Sequence, residues 1–355
     1  MKILMFQDYF NKGGIEKVIL DIKEFINNNY NIDILSMVNI SNEKIISLLD
    51  KDYQKPFMRN LKGLKKYKIF LKNNRDNYDI IHIHCYNAFG LIYAFIAKKY
   101  CKKIIVHAHS NNINEDFLFI KHLINNIIKF LFRDKKNLYI AVSEECNKFC
   151  FNVDNCIIIP NGIDYNKYYF NFNERSKYRR KFSINDKEIV IGHIGRFDKQ
   201  KNHGFIIEIF YEISRIKDNY KLILIGEGKL RKIIENKIKE LKLESKVIVL
   251  NNRNDISKLI NMFDIFLFPS IYEGFGLTVV ENEVNGRDVF VSDKIPKSVN
   301  ISNRIKFLSL SKSAREWANE IINLHNKELL LDNRLDMPNY LEDIENIYRG
   351  LNEKN

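Results

Sequence analysis

Residues 188–202 read EIVIGHIGRFDKQKN. The first part is an apolar, β-branched run of strand character, and it breaks at Gly195 into a polar loop carrying Arg196 and Lys201. What decides the fold is that this run begins a series over again. Upstream, KILMF (2–6), DILSMV (33–38), DIIHIH (79–84), KIIVHA (103–108), LYIAV (138–142) and CIIIP (156–160) alternate with stretches of helical period such as IEKVILDIKEFI (15–26). Downstream, KLILIG (221–226), KVIVL (246–250), DIFLF (264–268), DVFVS (288–292) and RIKFL (304–308) repeat the alternation. Such alternation implies right-handed βαβ crossovers and parallel sheets covered on both faces. Two doubly wound α/β domains are predicted, with the boundary in NGIDYNKYYFNFNERSKYRR (161–180), a polar stretch without strand signal. The predicted division is 1–165, 166–337 and a C-terminal helix over 338–355 that packs back toward the first domain. Ligands of open parallel sheets sit beyond the carboxyl ends of the strands, so two facing sheets place a site in the cleft between them.

At 355 residues, 45% hydrophobic and 28% charged, the chain has an ordinary globular composition with room for two cores. The opening MKILMFQDYF has too short an apolar run for a signal peptide, and no run approaches the roughly 20 residues needed to cross a bilayer. A soluble, cytoplasmic protein is expected. Five scattered cysteines suit a reducing compartment, and those at 146, 150 and 156 match no standard zinc spacing. The formal net charge of +13 is spread along the chain, which fits compositional habit as well as an anionic partner such as nucleic acid, lipid or a phosphorylated small molecule.

Function is then sought in loops that follow strands. NKGGIEKV (11–18) opens a helix after the first strand; Gly13 and Gly14 either make a turn or let a phosphate or sugar approach the backbone. His82 with His84, and His107 with His109, lie two apart near the ends of successive strands, so each pair shares a face. They read as core or cleft histidines or as a metal cluster, and no further ligand follows either pair. His109 runs into the polar loop HAHSNN. Arg196 and Lys201 could neutralise a leaving diphosphate, one as a planar fork and the other as a point charge, or serve only solubility.

PSIYEGFGLTVVE (269–281) places two glutamates about a glycine turn. The loop follows a predicted strand, and a helix begins near Gly276, so the free N–H groups of its first turn form an anion cradle. At about 1.5 Å per residue, Glu281 stands some 7 Å beyond Gly276, comparable with the span from a diphosphate to the ribose of the same nucleotide. Glu281 could accept from vicinal ribose hydroxyls, while Glu273 faces the distal sugar. Capping and an exposed acid are the plain alternative.

With these motifs in order, the chain resembles the family 4 retaining glycosyltransferases of GT-B fold: two Rossmann-like doubly wound parallel-sheet domains facing a central cleft. The resemblance rests on E-x7-E (Glu273, Glu281), G-R-x4-K (Arg196, Lys201), the glycine pair, PNGID (160–164) and IGEG (225–228). NNRNDISKLINMFDIFLFPS (251–270) and KFLSLSKSAREWANEI (306–321) are most similar to the capsular or exopolysaccharide branch. It implies that Gly13 and Gly14 lie across from the donor phosphates and His109 against the transferred sugar. Arg196 and Lys201 hold the diphosphate in place of a metal ion, and Arg253 lies near the base. Gly226 belongs to the donor site, as do the main chain at Gly274, Phe275, Gly276, Leu277 and Thr278; Glu273 takes sugar hydroxyls and Glu281 the ribose. The donor's own diphosphate takes the acceptor proton on the same face. Two departures concern the donor pocket. Arg287 and Asp288 follow Gly286 where the family usually has a proline two positions on, and Ser298 stands where a glutamate is common.

The implied reaction moves a hexose or N-acetylhexosamine from a UDP-sugar to a sugar acceptor, here a lipid-linked intermediate, with no cofactor and no essential metal. A GDP-mannose-dependent mannosyltransferase is the alternative donor reading. Asp50-Lys51-Asp52 spells the D-x-D of metal-dependent glycosyltransferases, but it ends a helical pattern and reads as a solvated charge run. FLFIKHLINNIIKFLFR (117–133) reads as a basic amphipathic helix, either docked on the first sheet or lying on anionic lipid at the inner face of the cell membrane. From other classes, a nucleic-acid-binding protein would interleave cations with exposed aromatics, whereas the aromatics here sit in strands and apolar helix faces. A metal-dependent hydrolase would use the two histidine pairs.

Overall fold

The computed structural model describes residues 1–10, 14–26, 30–39, 45–49, 56–111, 118–323, 331 and 335–353. It contains two compact units, Met1–Gly162 with Pro338–Asn355, and Ile163–Met337. In the first, strands Lys2–Phe10 (β1), Asn31–Asn39 (β2), Ile46–Leu49 (β3), Ile80–Cys85 (β4), Lys103–Ala108 (β5), Leu138–Ala141 (β6) and Ile157–Ile158 (β7) form one sheet in the order β3-β2-β1-β4-β5-β6-β7. In the second, Ile189–Ile194 (β8), Tyr220–Ile225 (β9), Val247–Leu250 (β10), Ile265–Phe268 (β11), Asp288–Ser292 (β12) and Ile305–Leu308 (β13) are ordered β10-β9-β8-β11-β12-β13. Within both sheets every described strand pairing is parallel. This is the α/β architecture predicted from the alternating runs, and the central strands are buried throughout because helices cover both faces.

One strand departs from the sequence reading. Residues 46–49 form the edge strand β3, paired with β2 through Leu35↔Ile46 and Val38↔Leu49. The apolar spacing there suggested a helix, and pairing to a sheet edge overrides so weak a local pattern. The D-x-D at 50–52 therefore follows a strand, contrary to the helical context expected for it, and its residues lie outside the described ones.

The polar stretch 161–180 is more than a connector. It contains the helix Phe172–Lys181, capped by Asn171. Its Arg179, 2% exposed, donates to the Met262 carbonyl at 3.2 Å and to Asp264 Oδ2 at 3.2 Å. Arg175 Nη2 meets Asp264 Oδ1 at 2.6 Å. The same carboxylate accepts from the Val190 amide at 2.8 Å, and the Asp264 amide donates back to the Val190 carbonyl at 2.9 Å. Asp264 thus ties two guanidinium groups to the start of β8. Beside it, Gly192 in β8 leaves room for Phe263, whose ring would lie 2.3 Å from a Cβ at that position. The apolar centre of this unit packs Ile191, Phe210, Leu222, Leu267 and Trp317 between sheet and helices, with Trp317 Nε1 donating to the Ser309 carbonyl at 3.1 Å.

Asp264→Ala leaves the buried Arg179 without its carboxylate and is expected to cost about 3–5 kcal/mol. The check is the guanidinium chloride unfolding midpoint of the variant, read with an unchanged slope.

Candidate active site

Pairing of β8 with β11 sets two loops side by side at the carboxyl edge of the second sheet. Three hydrogen bonds fasten them. The Ile271 amide donates to the Gln200 carbonyl at 2.8 Å, Gln200 Nε2 to the Tyr272 carbonyl at 3.0 Å, and Asn202 Nδ2 to the Pro269 carbonyl at 3.2 Å. Inside the loop after β8, Asp198 Oδ1 accepts from the Lys201 amide at 3.3 Å, and Asp198 Oδ2 pairs with Arg196 Nε at 2.6 Å. A third loop presses on the first. Gly226, at φ +154°, approaches so closely that a Cβ there would lie 2.0 Å from the Gly195 carbonyl oxygen, so only glycine fits.

This scaffold brings Lys201 and Glu273 into contact, Nζ to Oε1 at 2.6 Å, with side chains 15% and 10% exposed. The ammonium also lies 4.6 Å from the centre of the Phe268 ring. Arg196, by contrast, is 63% exposed at the rim. From Glu273 the loop runs through Gly274 and the buried Phe275 to Gly276, whose φ of +109° turns the chain into the helix Leu277–Val284. No side chain caps that helix. First-turn N–H groups have no partners within a helix, so Leu277 and Thr278 begin a natural anion seat. One turn on, Glu281 is 5% exposed and accepts from the Tyr168 hydroxyl at 2.8 Å.

Two cationic positions behave differently from these. Arg253 closes a two-point fork on Asp255, Nε to Oδ1 at 2.7 Å and Nη2 to Oδ2 at 2.6 Å, and the Tyr178 hydroxyl adds a further bond to the same carboxylate. The Arg253 guanidinium holds the Asp255 carboxyl well below the usual carboxylate range. Arg287, where the sequence departs from the family pattern, donates to the carbonyls of Phe263 and Asn285 and stacks over Phe170 at 4.8 Å. Burial lowers its guanidinium to about 10.

In the first unit, Gly14 begins the helix Gly14–Ile26, and Gly13 lies outside the described residues. His82, His84, His107 and His109 form one buried array across β4 and β5, in register at His84↔His107. His84 Nδ1 meets His109 Nε2 at 2.9 Å, and His82 Nε2 meets His107 Nδ1 at 3.3 Å. His82 Nδ1 reaches the Tyr348 hydroxyl of the C-terminal helix Met337–Glu353 at 2.8 Å. Burial pushes His82 and His109 down to about 3 and lowers the other two strongly, so all four are neutral at physiological pH. His82, His84 and His107 each offer an atom within 4.8 Å of the others, the spacing of a metal triad. Both nitrogens of His82 already have hydrogen-bond partners, however, and no carboxylate or thiol joins the group among the described residues. The arrangement is that of a packed neutral imidazole array.

Against known proteins, Glycosyltransferase Family 4 matches residues 13–167 and Glycosyl transferases group 1 matches residues 174–342. The chain belongs to the family 4 glycosyltransferases. A relative in Bacillus subtilis (strain 168), named "Putative glycosyltransferase EpsF", is 25% identical over 88% of this chain and 84% of its own. Another, from Campylobacter jejuni, is N-acetylgalactosamine-N,N'-diacetylbacillosaminyl-diphospho-undecaprenol 4-alpha-N-acetylgalactosaminyltransferase, 26% identical over 79% of this chain and 78% of its own. Among solved structures, Anabaena HepE in complex with UDP and glucose superposes with a TM-score of 0.77 at 19% identity, covering 98% of this chain and 99% of that one. That likeness gives the GT-B fold.

Within this glycosyltransferase, three acids crowd helix Leu277–Val284 and its approach, and the structure separates them. Glu283 is fully buried and accepts from the amides of Ile301 and Ser302 and the Ser302 hydroxyl, at 3.3, 3.1 and 2.8 Å. It braces the following loop. Tyr168 and Gln200 were not anticipated as site residues; neither stands in a spacing that betrays it, since both act through loops folded from distant sequence.

A buried histidine whose folded pKa lies below its unfolded value of about 6.5 contributes stability that is present above that pH and lost as pH falls. At pH 5 His82 and His109 are each expected to cost on the order of 2 kcal/mol relative to neutrality, and His84 and His107 shift stability in the same direction. Urea unfolding at pH 7.5 and at pH 5.0, followed by a probe in the first unit, checks this.

Proposed function

We propose that the protein is a retaining, metal-independent hexosyltransferase that takes a hexose or N-acetylhexosamine from a UDP-sugar and passes it to a lipid-linked sugar acceptor in capsular or exopolysaccharide synthesis. The observation that carries this reading is the half-dry Lys201–Glu273 contact at the edge of an uncapped helix start. Without ligand the cation and the acid neutralise each other. A donor diphosphate entering the helix N-terminus would replace Glu273 as the partner of Lys201, and Glu273 would turn to the sugar hydroxyls. Arg196 would leave Asp198 to reach the diphosphate, and Glu281 would accept from the ribose. As the glycosidic bond breaks, charge collects on the leaving diphosphate, where the two cations and the helix N–H groups stabilise it. The acceptor proton passes to a diphosphate oxygen on the same face, so no side-chain base is required. His109, neutral and buried, would contact the transferred sugar. The undecaprenol-linked substrate in the name of the Campylobacter relative supports a lipid-linked acceptor.

Lys201→Ala, Glu273→Ala and Glu281→Ala are each expected to lower donor turnover by about 10²–10³-fold, and Arg196→Ala by less because of its exposure. Turnover in excess EDTA should equal that without it. Unchanged turnover in all four variants would refute the assignment.

An exposed apolar surface of the first unit supports the lipid-linked acceptor. Among the described residues no helix is long and apolar enough to cross a membrane. The helix Leu118–Phe132 instead leaves Ile120, Leu123, Ile124, Ile127, Phe130 and Leu131 exposed, Phe130 by 85%. It is anchored from the opposite side by Asn125, which accepts from the Ala88 amide and donates to the Phe149 carbonyl, each at 2.8 Å. Lys129 and Arg133 turn toward the protein and donate to the carbonyls of Lys148 and Asn152, so the proposed membrane contact rests on the exposed apolar stripe, that of a helix lying in the interface plane. Ile124→Glu with Phe130→Glu should abolish sedimentation with phosphatidylglycerol vesicles and leave turnover on a short, water-soluble acceptor within twofold of the parent.

A further inference from the structure

Glu281 does not hold its place alone. Its Oε1 accepts from the Tyr168 hydroxyl at 2.8 Å, and both side chains are buried. The Tyr168 carbonyl in turn accepts from Asn285 Nδ2 at 2.8 Å. Asn285 sits one turn after Glu281, its amide donating to the Glu281 carbonyl at 3.2 Å. Acid, phenol, main chain and amide therefore close a ring whose two ends belong to one short helix and its C-cap. Neighbours brace the ring from outside. Asn285 Nδ2 also reaches Asn261 Oδ1 at 3.1 Å, and that oxygen accepts the Asn171 amide at 2.7 Å. Two residues beyond Tyr168, Phe170 is covered by the Arg287 guanidinium. Tyr168 is buried and its main chain is held at the carbonyl, so its phenol meets the Glu281 carboxylate from a braced position.

We infer that Tyr168 is a positioning residue that fixes the Glu281 carboxylate toward the ribose diol and thereby sets the preference for ribonucleotide over 2′-deoxyribonucleotide donors. This rests on the ribose role given to Glu281 above. The phenol donates one hydrogen bond and accepts none of the carboxylate's charge, so the acid remains an anionic acceptor for the incoming diol. A fixed acceptor gains from a hydroxyl group that is present and loses when the hydroxyl is missing. A carboxylate free to rotate into water would discriminate less.

The experiment measures Kd for UDP and for 2′-deoxy-UDP by calorimetry on the full chain, the Tyr168→Phe variant and the Glu281→Ala variant, with melting temperatures in parallel. The parent is expected to favour UDP by about tenfold, the scale of one charge-assisted hydrogen bond. Glu281→Ala should bring that ratio near one. Tyr168→Phe, which keeps the ring and its packing, should reduce the ratio about threefold while Kd for 2′-deoxy-UDP changes by less than twofold. If Tyr168→Phe weakens both nucleotides equally, or lowers only the melting temperature, its role is structural and the inference fails. If Glu281→Ala alters the ratio and Tyr168→Phe does not, the inference fails and the ribose role of Glu281 survives. If Glu281→Ala leaves the ratio intact, both fall.

Discussion

The pairing of β8 with β11 is the constraint on which the rest depends. These strands are far apart in sequence and adjacent in the sheet, at the point where the strand order changes direction. Ligand sites of open parallel sheets lie beyond the strand ends at such a point, and here the two loops that leave it are strapped to each other by three hydrogen bonds. Arg196, Lys201, Glu273 and Glu281 lie on those two loops or on the helix that follows one of them. The pairing is secured at the opposite edge, where Asp264 joins the strand starts to Arg175 and Arg179 and where Gly192 admits the Phe263 ring. Binding geometry at one end of the sheet is thus maintained by buried charge and close packing at the other.

The electrostatics of the two units differ in kind. In the second, cations and acids meet at a partly open edge, where a ligand of the right charge can enter the exchange. In the first, four imidazoles share a dry interior, and burial keeps them uncharged. Their hydrogen bonds run from ring to ring and to Tyr348, which links the C-terminal helix to the strands of the first sheet.

Much of the fold could be read from residues because buried parallel strands are nearly continuous apolar runs. Twelve of the runs named in the sequence contain the twelve strands other than β3, to within a few residues at their ends. The edge strand β3 escaped, since an edge needs only one neighbour and its short apolar pattern fits a helix equally well. In the candidate site, Lys201 and Glu273 stood out because each occupies a loop after a strand, yet their direct contact depends on sheet order, which spacing does not reveal. The resemblance puts Arg253 near the base, and only folding shows that Asp255, two residues on, grips it. Glu283 and Tyr168 were invisible for a similar reason. Nothing local separates a glutamate that braces a loop from one that faces a cavity, or a tyrosine in a core from one that aims an acid.

The straps between the two site loops have a consequence for how such an enzyme diversifies. The Ile271–Gln200 bond runs from main chain to main chain, and the other two bonds end on main-chain carbonyls. Half or more of each strap is indifferent to which amino acid stands there. Side chains along the two loops can therefore drift without loosening the frame that the straps make, and selectivity can evolve on a fixed main chain.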